Sequence, residues 1–165
     1  MQRFLLATAT LISVVACNNE ITGLEPPSDP ATETFAVSLG VDIATMSQTT
    51  SGVYYSDILV GTGTEVTTTA DSLTVTYAGF LKDGRLFDSG SNLVFVLDEN
   101  LIEGFRDGLI GMRVGGKRKL VIPSELGYGN RTRRDFSGGV TIPRQSTLVF
   151  DVEIKNVFNP APLTP

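Results

Sequence analysis

Histidine and tryptophan are absent from the chain, and cysteine occurs once, at position 17. Without histidine there are no Ser-His-Asp triads, no imidazole general bases and no histidine-ligated metal centres. A single cysteine rules out an intrachain disulfide and any thiolate cluster for zinc or iron–sulfur. Basic residues are scarce early on: after Arg3 the next is Lys82, whereas eight acids fall between Glu20 and Asp71. The formal charge of −5 is mild. No basic stripe suits nucleic acid, and the two local groups, Lys117, Arg118 and Lys119, then Arg131, Arg133 and Arg134, read as solvated strand and loop faces.

What is present points to one mainly β domain with appendages. The 165 residues are 41% hydrophobic and 19% charged, with 17 glycines and β-branched residues in short runs, which favours strands joined by turns. Arg3 precedes an apolar run over residues 4–16, shorter than the roughly 20 residues of a spanning helix. The positive start, apolar middle and small residues near the cut have the layout of a secretory signal over residues 1–16. The run ends in Val14-Val15-Ala16-Cys17, which resembles a bacterial lipobox, with Cys17 as the lipid-bearing first mature residue. Acyl chains contribute about 0.8 kcal/mol per buried methylene, so two or more would hold the protein on a membrane without a spanning helix. Asn18 follows, where Asp typically marks inner-membrane retention in Gram-negative bacteria, so the outer membrane or the periplasmic side is the expected address.

Residues 17–34 hold Pro26, Pro27, Pro30, small polar residues and acids, and read as a flexible tether. In residues 35–52, Phe35, Val37, Leu39, Val41 and Ile43 alternate, so this extension is expected either to add an edge strand or to pack loosely on the domain. The domain itself is placed at 53–158, with a tail at 159–165.

Within it, residues 53–60 form a β-rich run closed by Gly61-Thr62-Gly63, and Leu73, Val75 and Tyr77 share one face of an alternating strand. Residues 82–85 supply a turn, and residues 93–97 read as another strand. Ile102, Phe105, Leu109 and Ile110 recur at near-helical spacing, with Glu103, Arg106 and Asp107 opposite and Gly111 as the stop. Residues 117–122 form a strand ending at Pro123. Residues 147–155 alternate with Leu148, Phe150, Val152 and Ile154 inward. A twisted antiparallel sheet with the helix on its concave face buries both apolar sets.

Two motifs fail on context. Residues 111–118 nearly match a phosphate-binding loop, but Arg118 replaces the magnesium-binding hydroxyl and the segment leaves a helix to enter a strand, the reverse of that motif. Asp98 and Glu99 are neighbours in a turn and cannot flank a substrate as paired acid and base. Aromatic placement is more informative: Tyr77, Phe87 and Tyr128 precede or sit among small residues, where loops are expected to meet the sheet and frame a small apolar pocket.

Val75-Thr76-Tyr77-Ala78-Gly79, Gly84-Arg85-Leu86-Phe87-Asp88-Ser89, Leu101-Ile102-Glu103-Gly104-Phe105, residues 108–119 and 123–129, and Ile142-Pro143 with residues 147–154 resemble the FKBP-type prolyl isomerases, in order and at near-family spacing. The resemblance implies an α+β half-barrel, mainly β, with a twisted antiparallel sheet wrapped around one short helix. It implies prolyl cis/trans isomerisation carried by Tyr77, Phe87, Asp88, Phe105 and Tyr128. Phe95, Leu101, Ile102, Ile142 and Phe150 complete the substrate-binding walls, and Phe105 is the floor where the family usually has tryptophan. The Ile102 N–H and the Tyr128 hydroxyl are expected to hold substrate carbonyls, and Asp88 to meet the Tyr77 hydroxyl. Leu93 stands where many members have a wall aromatic, Thr141 replaces a common aliphatic residue, and the segment from Tyr128 to Pro143 is longer than usual and arginine-rich.

The expected partners are proline-containing polypeptides, exported proteins folding at the cell envelope among them, together with macrolide inhibitors and the membrane through the lipid. No cofactor, metal or nucleic acid is called for, and a monomer suffices. The alternative is a noncatalytic chaperone or binding module on the same fold.

Overall fold

The structure, a computed structural model, describes residues 26–68 and 71–158. Strands β1 (Ser47–Gln48), β2 (Tyr54–Leu59), β3 (Ser72–Leu81) and β4 (Leu86–Val96) precede α1 (Glu103–Leu109), the one α-helix among the described residues. Then come β5 (Lys117–Ile122), the short pair β6 (Arg133–Arg134) and β7 (Val140–Ile142), and β8 (Leu148–Phe158). Six strands form one antiparallel sheet in the order β1-β2-β5-β8-β3-β4, and β6 and β7 pair separately. The expected antiparallel sheet around one short helix is therefore present. Among the described residues, no helix is long and apolar enough to cross a membrane.

Alternation sorts the strands into faces, because successive side chains point to opposite sides. On the helix side, Leu73 and Val75 of β3, Leu120 and Ile122 of β5, and Leu148, Phe150, Val152 and Ile154 of β8 pack with Phe105 and Leu109 into the main core. Helix α1 lies close against the sheet because Gly104 and Gly108 face it. A Cβ on Gly104 would stand 2.3 Å from the Ile122 Cγ2, and one on Gly108 would stand 2.7 Å from the Leu120 Cδ atoms. Two absent side chains thus set the height of α1 above the sheet, and with it the level of Phe105. Gly111, at φ 80°, ends the helical segment as expected.

The opposite face carries a second cluster in which Val121 and Val149 meet Leu39, flanked by Phe35, Val41, Ile43 and Met46. The alternating run of the extension, residues 35–43, is thus no strand. It forms two 3-10 turns, Val37–Leu39 and Ile43–Thr45. Asp42 accepts the Ala44 N–H, and Gly40 turns left-handed at φ 58°, so local capping outweighs the extended preference. Both expected outcomes occur within the extension: its alternating residues pack on the domain, and Ser47–Gln48 at its far end add the edge strand of the sheet.

The tether reading needs correction over the part the structure describes, residues 26–34. Ser28 and Ser124 exchange two hydrogen bonds, at 2.9 and 2.8 Å. Asp29 caps a 3-10 turn that begins at buried Pro30, and Glu33 pairs with Lys82 at 2.7 Å. Low apolar content suggested freedom, yet polar side chains bonded to the domain fix the segment without a large buried surface. The signal segment, Cys17 and the tail at 159–165 lie outside the described residues.

Candidate functional site

β3 and β4 shape one wall of a cavity through two irregularities in their pairing. Gly79 faces Asp88 while Phe80 faces Leu86, so Phe87 is the extra residue of a β-bulge. A second shift separates Val75↔Leu93 from Tyr77↔Gly90, where β4 carries one more residue than β3. Bulges bend the strand and re-aim its side chains, here around one end of α1. A Cβ on Gly79 would stand 2.7 Å from the Phe150 ring and 2.8 Å from the Phe87 ring, so its absence lets the two rings meet.

The cavity holds about 290 Å³. Tyr77, Phe87, Asp88, Leu93 and Phe95 come from β3 and β4, Asn100, Leu101, Ile102 and Phe105 from the helix and the turn before it, and Phe150 from β8. Tyr128 and Arg133 close the remaining side. Phe105, 5% exposed, is the hub of the aromatic set: its ring centroid lies 5.0 Å from Phe150, 5.9 Å from Tyr77 and 6.1 Å from Phe95. Phe87 meets Phe150 edge-to-face at 5.5 Å. These tilted contacts suit the ring quadrupoles and hold the walls apart rather than stacked shut.

Polar groups are few and directional. The Tyr77 hydroxyl donates to Asp88 Oδ2 at 2.8 Å, and Asp88 Oδ1 accepts the Ser89 N–H at 2.9 Å. Burial, followed by the hydrogen bond to Asp88 and its charge, pushes the Tyr77 phenol up to about 12. Burial also raises Tyr128, against the opposing pull of the Arg133 guanidinium. Neither the Tyr128 hydroxyl nor the Ile102 N–H donates to any group among the described residues. Ile102 instead offers its carbonyl, which accepts from the Phe105 and Arg106 N–H groups at 3.1 and 3.3 Å and so starts α1. The cavity is thus an aromatic-walled box with two donors available at its rim and one carboxylate already engaged.

The raised Tyr77 fixes the sign of a pH effect. The folded state keeps a phenolic proton that the unfolded chain loses near pH 10, so the stabilisation is complete below pH 10 and is lost as the pH rises from there toward about 12. With four tyrosines and no tryptophan, tyrosinate absorbance reads this directly. We expect a component ionising near pH 12 that Tyr77→Phe removes, while the raised Tyr128 phenol stays in the late-ionising fraction. A single titration at the ordinary tyrosine value in the folded protein would contradict it.

Of the residues singled out from the sequence, Tyr77, Phe87, Asp88, Phe95, Leu101, Ile102, Phe105, Tyr128 and Phe150 converge on this cavity. Ile142 does not line it: at 4% exposure it is a core residue of β7. Tyr77 and Phe87 lie inside strands rather than in loops at the sheet's end. Asn100 and Arg133 join the lining beyond the residues that the motifs single out. Arg133 arrives because β6 and β7 fold the long segment back beside Tyr128, and the only sequence signal was the length of that segment. A wider concavity of about 780 Å³, bordered by Thr49, Tyr55, Asp107 and Arg118, lies apart from this site, and its arginine is committed to Asp57 and to helix-end carbonyls. No cluster of acids or thiolates capable of holding a metal occurs among the described residues.

Comparison with known proteins gives a consistent picture. The family model for FKBP-type peptidyl-prolyl cis-trans isomerases matches residues 63–155. The FKBP-type peptidyl-prolyl cis-trans isomerase FkpA of Escherichia coli K12 is 40% identical over 151 residues, covering 89% of this chain and 49% of that protein. The FK506-binding protein of Neisseria meningitidis serogroup B is 40% identical over 112 residues, covering 65% of this chain and 97% of the relative. The crystal structure of Escherichia coli FkpA superposes with a TM-score of 0.59 at 41% identity, over 71% of this chain and 53% of that one. A prolyl isomerase structure from Pseudomonas syringae gives 0.62 at 30% identity, over 69% and 81% of the two chains. The chain spans about half the length of FkpA.

Proposed function

Since the chain belongs to the FKBP-type peptidyl-prolyl cis-trans isomerase family, we propose that its aromatic cavity binds the proline ring of a polypeptide and catalyses rotation about the preceding amide. Rotation must break amide resonance, a barrier of roughly 18–20 kcal/mol, and an X-Pro bond takes tens to hundreds of seconds unaided. The planar amide is more dipolar than the twisted one, so water favours the ground state. A dry pocket floored by Phe105 and walled by Tyr77, Phe87 and Phe150 withdraws that preference. No nucleophile, metal or cofactor takes part in such a rotation.

One observation carries the proposal: the Tyr128 hydroxyl and the Ile102 N–H stand without an acceptor among the described residues, at the rim of an aromatic cavity. Both suit carbonyls flanking the proline and would hold the peptide in a turn compatible with the twisted amide. Asp88, kept in place by Tyr77 and Ser89, directs its negative charge toward the rotating bond. The same aromatic cavity is the expected seat of macrolides of the FK506 type, the ligand class named for the Neisseria relative.

We assign the protein an envelope role, attached through a lipid on Cys17 and acting as a monomer on exported polypeptides. The support is the signal-like run over residues 1–16 and its ending in Val14-Val15-Ala16-Cys17.

A peptide assay on X-Pro bonds with the full chain tests the activity. Asp88→Val removes the solvent-exposed hydrogen bond to Tyr77 together with the negative charge beside the rotating amide, and should lower kcat/KM about tenfold with the fold retained. Binding of the peptides with no acceleration of exchange would identify a noncatalytic binding module instead.

A further inference from the structure

Arg133 is a cation at the mouth of the aromatic cavity, and no acid among the described residues forms an ion pair with it. Its guanidinium carbon lies 5.1 Å from the centre of the Tyr128 ring. It forms no ion pair and no side-chain hydrogen bond among the described residues. Glu99, Glu103 and Glu125 border the adjoining groove, yet none of them pairs with it. Asp88, the carboxylate on the cavity wall, is taken by the Tyr77 hydroxyl and the Ser89 N–H.

The placement of Arg133 is built into the fold. It lies in β6 opposite Ile142, which is sunk in the core, so the hairpin is pinned at that pair. The far end of the hairpin is braced: Asp135 accepts from the Ser137 and Gly139 N–H groups, and Arg134 donates to the Gly138 carbonyl. Stacking on Tyr128 then limits the side chain itself, which reduces the entropy that a salt bridge must overcome. Tyr128 also carries a hydroxyl proposed to hold the peptide, so any peptide bound there passes beside the guanidinium.

From this geometry we infer that Arg133 sets substrate preference, selecting polypeptides with an Asp or Glu next to the proline over those with a Lys or Arg there. The inference rests on the isomerase reading and names its substrate class. The planar guanidinium offers paired donors to a carboxylate and repels an ammonium, giving discrimination in both directions. Because the site is at a mouth open to solvent, the expected contrast is modest and sensitive to salt.

The test uses the full chain and peptides bearing Glu, Gln or Lys at the residue before the proline or at the residue after it. At low ionic strength, Glu should exceed Lys in kcat/KM by about three- to fivefold at one of the two positions. The contrast should appear mainly in KM, fade at high salt, vanish in Arg133→Gln and invert in Arg133→Glu. Arg134→Gln, whose guanidinium is held by Gly138, should retain it. Equal turnover of Glu and Lys peptides at both positions, or a Glu preference that survives Arg133→Gln, would overturn the inference. If no peptide is isomerised, the catalytic reading fails, and calorimetric affinities of the same peptides still decide the charge preference through the same two variants.

Discussion

Phe105→Ala should abolish most of the catalysis and cost about 3–5 kcal/mol of stability, the range for truncating a buried aromatic side chain. Phe105 is 5% exposed and touches the rings of Tyr77, Phe95 and Phe150. Removing it opens a void continuous with the cavity, which fills with water and restores hydration of the planar amide. Phe105→Leu separates the two effects. It keeps most of the volume, at a cost on the order of 1.5 kcal/mol or less, but loses the rigid aromatic floor. The expected pattern is a large drop in the urea midpoint for alanine only, and a drop in kcat/KM for both. Full turnover in a folded Phe105→Ala protein would show that the floor plays no part in the reaction.

Arg118→Ala should destabilise the fold by about 3 kcal/mol, near the lower end of the range for breaking a buried ion pair. Arg118 is 7% exposed and joins three elements at once. It binds both oxygens of Asp57 in β2, at 2.6 and 3.0 Å, and donates to the Gly108 and Ile110 carbonyls at the end of α1, at 2.9 and 3.2 Å. Its guanidinium also lies 4.4 Å over the Tyr55 ring. Truncation leaves Asp57 without its partner and helix-end carbonyls without a donor, a loss that partial solvent access to Asp57 moderates. Arg118→Met with Asp57→Leu should recover much of the stability, because the desolvated charge is removed along with its partner. Urea midpoints of the two single variants and the double variant decide it. A double variant no more stable than the worse single one would mean that Arg118 acts through the helix-end carbonyls rather than through Asp57.

Much of the framework was legible because it depends on period. Leu73 and Val75 alternate and are buried, and the inward set of β8 was read correctly, although Val149 is buried too because the extension covers the other face. The helix was legible from Phe105 and Leu109, with Gly111 after it. β4 was read only over its last residues. Gly90, Ser91 and Asn92 look like turn formers, yet in the structure they occupy a bulge inside one strand of 11 residues. Pairing with β3 supplied what local preference did not.

In the site, residues were recognisable as a series of motifs, but their positions were not. Ile142 was expected on the pocket wall and instead anchors the β6–β7 hairpin from the core. Arg133 read as a solvated loop charge and stands at the mouth. Ser28, expected in a free tether, is bonded to the residue that opens the loop carrying Tyr128.

The sequence by itself determined which chemistry is available and where strands and helix form. Absent histidine and a solitary cysteine exclude histidine-based triads and histidine- or thiolate-cluster metal sites, and alternation and helical spacing act over a few residues. Only the tertiary structure decided the cavity, the unengaged donors of Ile102 and Tyr128, and the cation at its mouth. These depend on pairings between segments far apart in the chain, on bulges that re-aim single side chains, and on glycines that let α1 and the Phe87 and Phe150 rings come close. No local pattern encodes that convergence.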